Sequence, residues 1–137
     1  MKAQHSLSFG WLLAALIYGA TLVSIGFLAY TNSLPGYLGY IPYHDLFGHF
    51  ILYGIASYLG DRVLLGRKLT IIGYRIPLFA LIFGIITVVE EYIQSFSPYR
   101  TFSWLDMTAS LLGLLVGYWF AKRELHRLEK RNIKSEG

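Results

Sequence analysis

The sequence predicts an all-α integral membrane protein, a four-helix bundle with both termini in the cytoplasm, built as one domain over residues 1–137. Three observations predict it: too few charges for a soluble surface, four apolar stretches of spanning length, and basic residues confined to one side. Hydrophobic residues make up 55% of the chain and charged residues 15%, where an ordinary soluble domain carries roughly 25% charged. A domain of 137 residues leaves much of its chain on the surface, and so few charged side chains cannot cover it. The same length excludes a multidomain enzyme around a large aqueous cleft. Cysteine is absent, which excludes a disulfide scaffold, a thiol nucleophile and a Cys-based zinc site.

A helix of about 20 mostly apolar residues crosses a bilayer core. The first candidate covers residues 9–30 and carries no charge. A signal peptide is the alternative, but the apolar run exceeds the usual core of roughly 7–15 residues. Ala29-Tyr30-Thr31-Asn32 is also a poor small-residue cleavage site, so the span is expected to be retained. Ser33-Leu34-Pro35-Gly36-Tyr37 then breaks the chain. The second span covers residues 45–65, with its last turn in doubt beyond Asp61. A basic connector follows, holding Arg62, Arg67, Lys68 and Arg75. The third span covers residues 76–96 and ends at the turn Ser97-Pro98-Tyr99-Arg100. The fourth covers residues 103–121, and residues 122–137 form a basic, charge-mixed helical tail. No internal repeat or low-complexity tract is present.

Basic residues favour the cytoplasmic ends of spans. Eleven of the twelve Lys and Arg residues fall on one side under this assignment: Lys2, the four of the connector, and Lys122, Arg123, Arg127, Lys130, Arg131 and Lys134. Arg100 alone falls on the other side. Tyr37, Tyr40 and Tyr43 on the outer side, and Tyr118 and Trp119 on the inner side, suit interface anchors.

The remaining polar residues then gather near the outer face. Asp45 and His49 open the second span, and Glu90, Glu91 and Gln94 close the third. Arg100 lies in the outer loop, and Asp106 and Ser110 open the fourth span. Asp45, His49 and Tyr53 are spaced four apart and share a helix face. Asp106, Ser110, Gly113 and Gly117 form a second stripe, the two glycines making a GxxxG that permits close backbone approach. Gly84, Thr87 and Glu91 form a third, which turns Glu91 towards a neighbour. Glu90 lies about 100° away around the helix, and its direction is open.

Ionisable residues inside a membrane bundle are costly and suggest function, but each also has a structural reading. Asp45 suits a helix N-terminus by its charge alone. Ser103 and Asp106 fit a capping box. His49 fits a hydrogen-bonded core residue, and Arg100 fits a bridge to Asp106. Glu91 is harder to explain structurally, because the dipole disfavours a carboxylate near a helix C-terminus. Four acids against Arg100 give this face a local excess of negative charge, suited to a cation, a metal, a protonated carboxyl or an amine-bearing ligand. Bare phosphate fits it poorly, since phosphate sites want several cationic or N–H donors. Metal-ligand spacings such as HExxH are missing. A metal on Asp45, His49 and Glu91 is a minor alternative, and no metal or cofactor is expected. A Ser/His/Asp triad drawn from Ser103 or Ser110, His49 and Asp45 is a weak signal.

The pattern Asp45-x-x-x-His49-Phe50-x-x-Tyr53, followed by Glu91-x-x-Gln94, Pro98-Tyr99-Arg100, Asp106, Gly113 and Gly117, resembles the VanZ-like family of small bacterial membrane proteins. The match runs from the second span through the fourth. One departure is Ser110, where the family usually carries Asn. The resemblance implies a multi-pass protein of the bacterial cytoplasmic membrane, linked in some members to resistance against teicoplanin-type glycopeptides. It implies no agreed reaction.

Two functions of different class follow as expectations. In the first, Asp45, His49, Tyr53, Glu91, Gln94, Arg100, Asp106 and Ser110 bind a lipid-linked cell-wall precursor, a lipid headgroup or a glycopeptide-related ligand without catalysis. In the second, a membrane-embedded hydrolase or transferase uses His49 or Glu91 as general base. Asp45 then orients His49, and Arg100 stabilises developing negative charge. A small transporter or an assembly partner is the third reading. The GxxxG of Gly113 and Gly117 serves either a homo-oligomer or packing within one chain. The basic tail suits anionic lipid, and nucleic acid is not an expected partner.

Overall fold

The structure is a computed structural model and describes residues 8–137, without the Glu136 side chain. Lys2, counted above among the basic residues, lies outside the described residues. The chain is mostly helical. Helix α1 spans Phe9–Tyr30, a short 3-10 turn spans Gly36–Tyr40, and helix α2 spans His44–Val63. Strands β1 (Lys68–Ile71) and β2 (Tyr74–Pro77) precede helices α3 (Leu78–Gln94) and α4 (Trp104–Glu136).

The hairpin was not anticipated in the basic connector, and it trims the helices on both sides. Helix α2 stops at Val63 rather than residue 65, and α3 starts at Leu78 rather than residue 76. The strands pair antiparallel, with Leu69 opposite Ile76 and Thr70 opposite Arg75. Ile72 and Gly73 form the two-residue turn, both at positive φ (49° and 80°). A type I′ turn requires that of both central residues, and Gly73 supplies it without steric cost. At the far end, α4 starts at Trp104 and runs unbroken through the basic tail for 33 residues.

Among the described residues, two helices are long and apolar enough to cross a membrane, α1 over its whole length and α4 within Trp104–Ser135. Helix α2 has 20 residues, but His49, Asp61 and Arg62 dilute its apolar content. Helix α3 has 17 residues.

Helices α2 and α4 cross closely, and three glycines make the crossing possible. A Cβ on Gly113 would run into the Phe50 carbonyl oxygen and the Gly54 nitrogen. One on Gly117 would run into the Gly54 carbonyl oxygen and the Ser57 side chain. The GxxxG of Gly113 and Gly117 is therefore used within the chain, backbone against backbone. Gly60 faces the Phe79 ring of α3, and Gly84 opens towards Leu111 and Leu114. Helix α1 lies outermost, with no buried residue. Tyr18 ties it to α2 by donating to the Leu52 carbonyl at 2.7 Å.

Polarity is distributed the reverse of a water-soluble core. The buried hydrophobic residues are Ala56, Ala109, Leu114 and Ala121, while Ser57, Asp61, Arg62, Thr87, Glu91, Gln94 and Ser110 are also buried. Large apolar side chains point outward instead, among them Leu16, Val23, Ile85, Ile86, Leu112 and Leu115.

Candidate functional site

Near the α3–α4 turn, polar side chains from all four helices meet. Glu91, on the buried stripe of α3, is 1% exposed. Its Oε1 accepts the Ser103 backbone N–H at 2.8 Å. Ser103 is the N-cap of α4, and its Oγ accepts the Asp106 N–H at 3.2 Å. In a capping box the residue three positions on would return a bond to the N-cap N–H. Here Glu91 from α3 takes that place, so the cap of α4 is shared between two helices.

The other polar residues of this end of the fold connect to this pair. His49 Nδ1 lies 2.9 Å from Ser110 Oγ, across the α2–α4 crossing. The His49 ring stacks on Tyr53 at a centroid distance of 5.6 Å, and Tyr53 packs against Phe83 of α3. His49, Glu90 and Asp106 all lie within coulombic range of Glu91. Glu90 Oε1 accepts from Tyr30 of α1 at 3.0 Å and from Gln94 Nε2 at 2.6 Å. The Arg100 guanidinium forks onto Gln94 Oε1, with Nε at 3.2 Å and Nη2 at 3.1 Å. Arg100 thus binds Gln94 rather than bridging to Asp106. Glu91, Gln94 and Ser110 form a buried floor; His49, Tyr53, Glu90, Arg100 and Asp106 are half-buried above it.

Asp45 is not brought into the cluster. Its carboxylate lies 3.1 Å from His44 Nε2, and its side chain is 54% exposed. The reason is helical drift. Successive four-residue steps rotate by about 40°, so Asp45 stands about 120° from Ser57, which is fully buried against α4. Asp45 therefore does not orient His49 in any triad. Among the described residues no group of three or more His, Cys, Asp or Glu side chains is placed to hold a metal ion. Asp45, His49 and Glu91 are accordingly not assembled as ligands.

The same ladder continues past Tyr53 in a way the sequence reading missed, through Ser57 to Asp61. Ser57 is 0% and Asp61 1% exposed. Ser57 donates to the Leu114 carbonyl at 2.8 Å. The Asp61 carboxylate has no hydrogen-bond partner among the described residues. Arg62, the next residue, turns away to α1 and lies 4.4 Å over the Trp11 ring. The signal was present as four-residue spacing, but a charge at a helix end reads as a solvated terminus.

Tyr30, which the sequence did not single out, joins α1 to α3 through Glu90, and Ser103 caps α4 as the capping-box spacing predicts. Compared with known proteins, the chain matches no family model, no curated protein and no solved structure.

Proposed function

We propose that this chain is a multi-pass membrane protein of the VanZ-like type, with four spans and both termini in the cytoplasm. Its outer polar cluster binds an amine-bearing lipid-linked cell-wall precursor or lipid headgroup, and this alters envelope sensitivity to teicoplanin-type glycopeptides. The observation that carries the reading is the inverted polarity: Glu91, Gln94 and Ser110 are buried while apolar side chains cover the outside of α1, α3 and the first half of α4. Exposing that apolar surface to water would cost roughly 25 cal/mol per Å², whereas lipid solvates it. Exposed Tyr37, Tyr40 and Tyr43 near the cluster suit a headgroup interface. At about 26 Å, the 17 residues of α3 fall short of a full bilayer core, which local thinning accommodates. Glu91 supplies the negative charge for the amine, and His49, Tyr53 and Asp106 line the approach to it.

The test is Glu91→Gln in a glycopeptide-sensitive bacterial host. Resistance and retention of the precursor by the purified chain are expected to fall together, with expression unchanged. Resistance and retention equal to wild type would remove Glu91 from the proposal.

A hydrolase or transferase is the second reading, favoured by the His49–Ser110 contact at 2.9 Å. Asp45, the acid such a triad needs, lies instead against His44, which weighs against nucleophilic attack by Ser110 and favours binding. Mass spectrometry of envelope lipids and wall fragments, in deletion and wild-type strains, separates the two. A changed product favours catalysis; an unchanged set alongside a persisting phenotype favours binding.

A further inference from the structure

At the basic end of the bundle, opposite the cluster just described, a cleft of about 580 Å³ opens between the end of α2, the start of the hairpin and the middle of α4. Ligand sites commonly measure about 300–1,000 Å³. Its walls include Asp61, Lys68, Trp119, Lys122, Arg123 and His126. Asp61 is 1% exposed, and neither of its carboxylate oxygens has a hydrogen-bond partner among the described residues. Two neighbouring donors, Ser57 and Arg62, do not bond to it in this geometry. The Ser57 hydroxyl has one hydrogen and spends it on the Leu114 carbonyl. The Arg62 guanidinium lies over Trp11, and its Nε and Nη1 are also buried without a hydrogen-bond partner among the described residues. A carboxylate buried without a partner is costly, and Asp61 is among the residues that line this cleft.

The rim is mostly of the opposite sign, although Glu129 also lines it beside His126. Lys68, Lys122 and Arg123 are exposed around it, and the Arg123 guanidinium is held 5.1 Å over the Trp119 ring. A buried acid beneath a cationic rim selects a ligand with a hydrogen-bonding cation at its tip and an anion behind it. We infer that this cleft binds the phosphoethanolamine headgroup of a phospholipid, amine first onto Asp61, with the phosphate at Lys68, Lys122 and Arg123. A primary ammonium donates to the carboxylate; a quaternary choline nitrogen carries no N–H and cannot; a glycerol headgroup brings no cation. Tyr118 and the exposed Trp119, both lining the cleft, suit the acyl chains below the headgroup. The site is separate from the outer cluster and takes from the membrane reading only the source of its ligand.

The test uses the full chain in detergent, titrated with phosphatidylethanolamine, phosphatidylcholine or phosphatidylglycerol and read by native mass spectrometry. Phosphatidylethanolamine is expected to be retained at least tenfold better than phosphatidylcholine. Asp61→Asn should abolish that preference while leaving phosphatidylglycerol retention unchanged. The pair Lys122→Gln and Arg123→Gln should weaken both phosphatidylethanolamine and phosphatidylglycerol. Leu65→Trp, which fills the cleft and leaves Asp61 in place, provides a second route should Asp61→Asn fail to fold; it should also abolish retention. Glycerophosphoethanolamine should displace the bound lipid and glycerophosphocholine should not. An undiminished preference in the folded variants, or displacement by both soluble headgroups or by neither, would overturn the inference. Because no arm depends on sidedness, failure here is distinct from failure of the topology.

Discussion

Glu91 offers the sharpest separation of scaffold from function. Its Oε1 accepts the N-cap N–H of α4 at 2.8 Å. Glu91→Ala removes the acceptor and leaves that buried N–H unmatched, at about 1–3 kcal/mol. The cavity left by a side chain that is 1% exposed adds to this, for a total of about 2–4 kcal/mol. Glu91→Gln behaves differently, because the amide keeps an oxygen where Oε1 stands. It loses the charge-assisted part of the bond and also the cost of a buried carboxylate. The two changes oppose, so stability should remain within about 1 kcal/mol of wild type. Thermal unfolding in detergent reads the difference: Glu91→Ala should lower Tm on the order of 10 °C, and Glu91→Gln should melt close to wild type. An alanine variant as stable as wild type, or a glutamine variant as weak as alanine, would refute the shared cap.

Three further perturbations follow from the packing. Gly117→Ala should destabilise by about 1–3 kcal/mol, because its Cβ would meet the Gly54 carbonyl. Gly26→Ala, with open space around it, should be neutral or mildly stabilising in the same melting assay. In a double-mutant cycle, Trp11→Leu and Arg62→Met should show a coupling of about 0.5–2 kcal/mol; additive losses would mean that the 4.4 Å contact contributes nothing. Ser103→Ala should cost about 1 kcal/mol of cap energy, and additivity with Glu91→Ala would argue against one joint cap.

The helical class and the stripes were legible because they depend on local periodicity. Thr87 and Glu91 are buried together, as are Ser110, Gly113 and Gly117. What depended on tertiary geometry was not legible. Four-residue spacing holds over one or two steps, which is why His49 and Tyr53 stack while Asp45 drifts out to His44. Glu90 had no readable direction, since its partner Tyr30 lies 60 positions away. The hairpin was written in Leu69-Thr70-Ile71 and Tyr74-Arg75-Ile76 around Gly73, but four basic residues nearby read as a simple connector. The burial of Asp61 depends on how α2 packs on its neighbours, which four-residue spacing alone does not specify.

The proposed four crossings of the membrane can be tested directly by single-cysteine labelling, because the chain has no cysteine of its own. Cysteines at Ser33, Thr70, Thr101 and Asn132 sample the three connections and the tail. With a membrane-impermeant maleimide on intact cells, Ser33→Cys and Thr101→Cys should label, while Thr70→Cys and Asn132→Cys should label only after permeabilisation. Labelling of Thr70→Cys from outside, or of Ser33→Cys and Thr101→Cys on opposite sides, would contradict the four-span arrangement and the outward position of the Glu91 cluster.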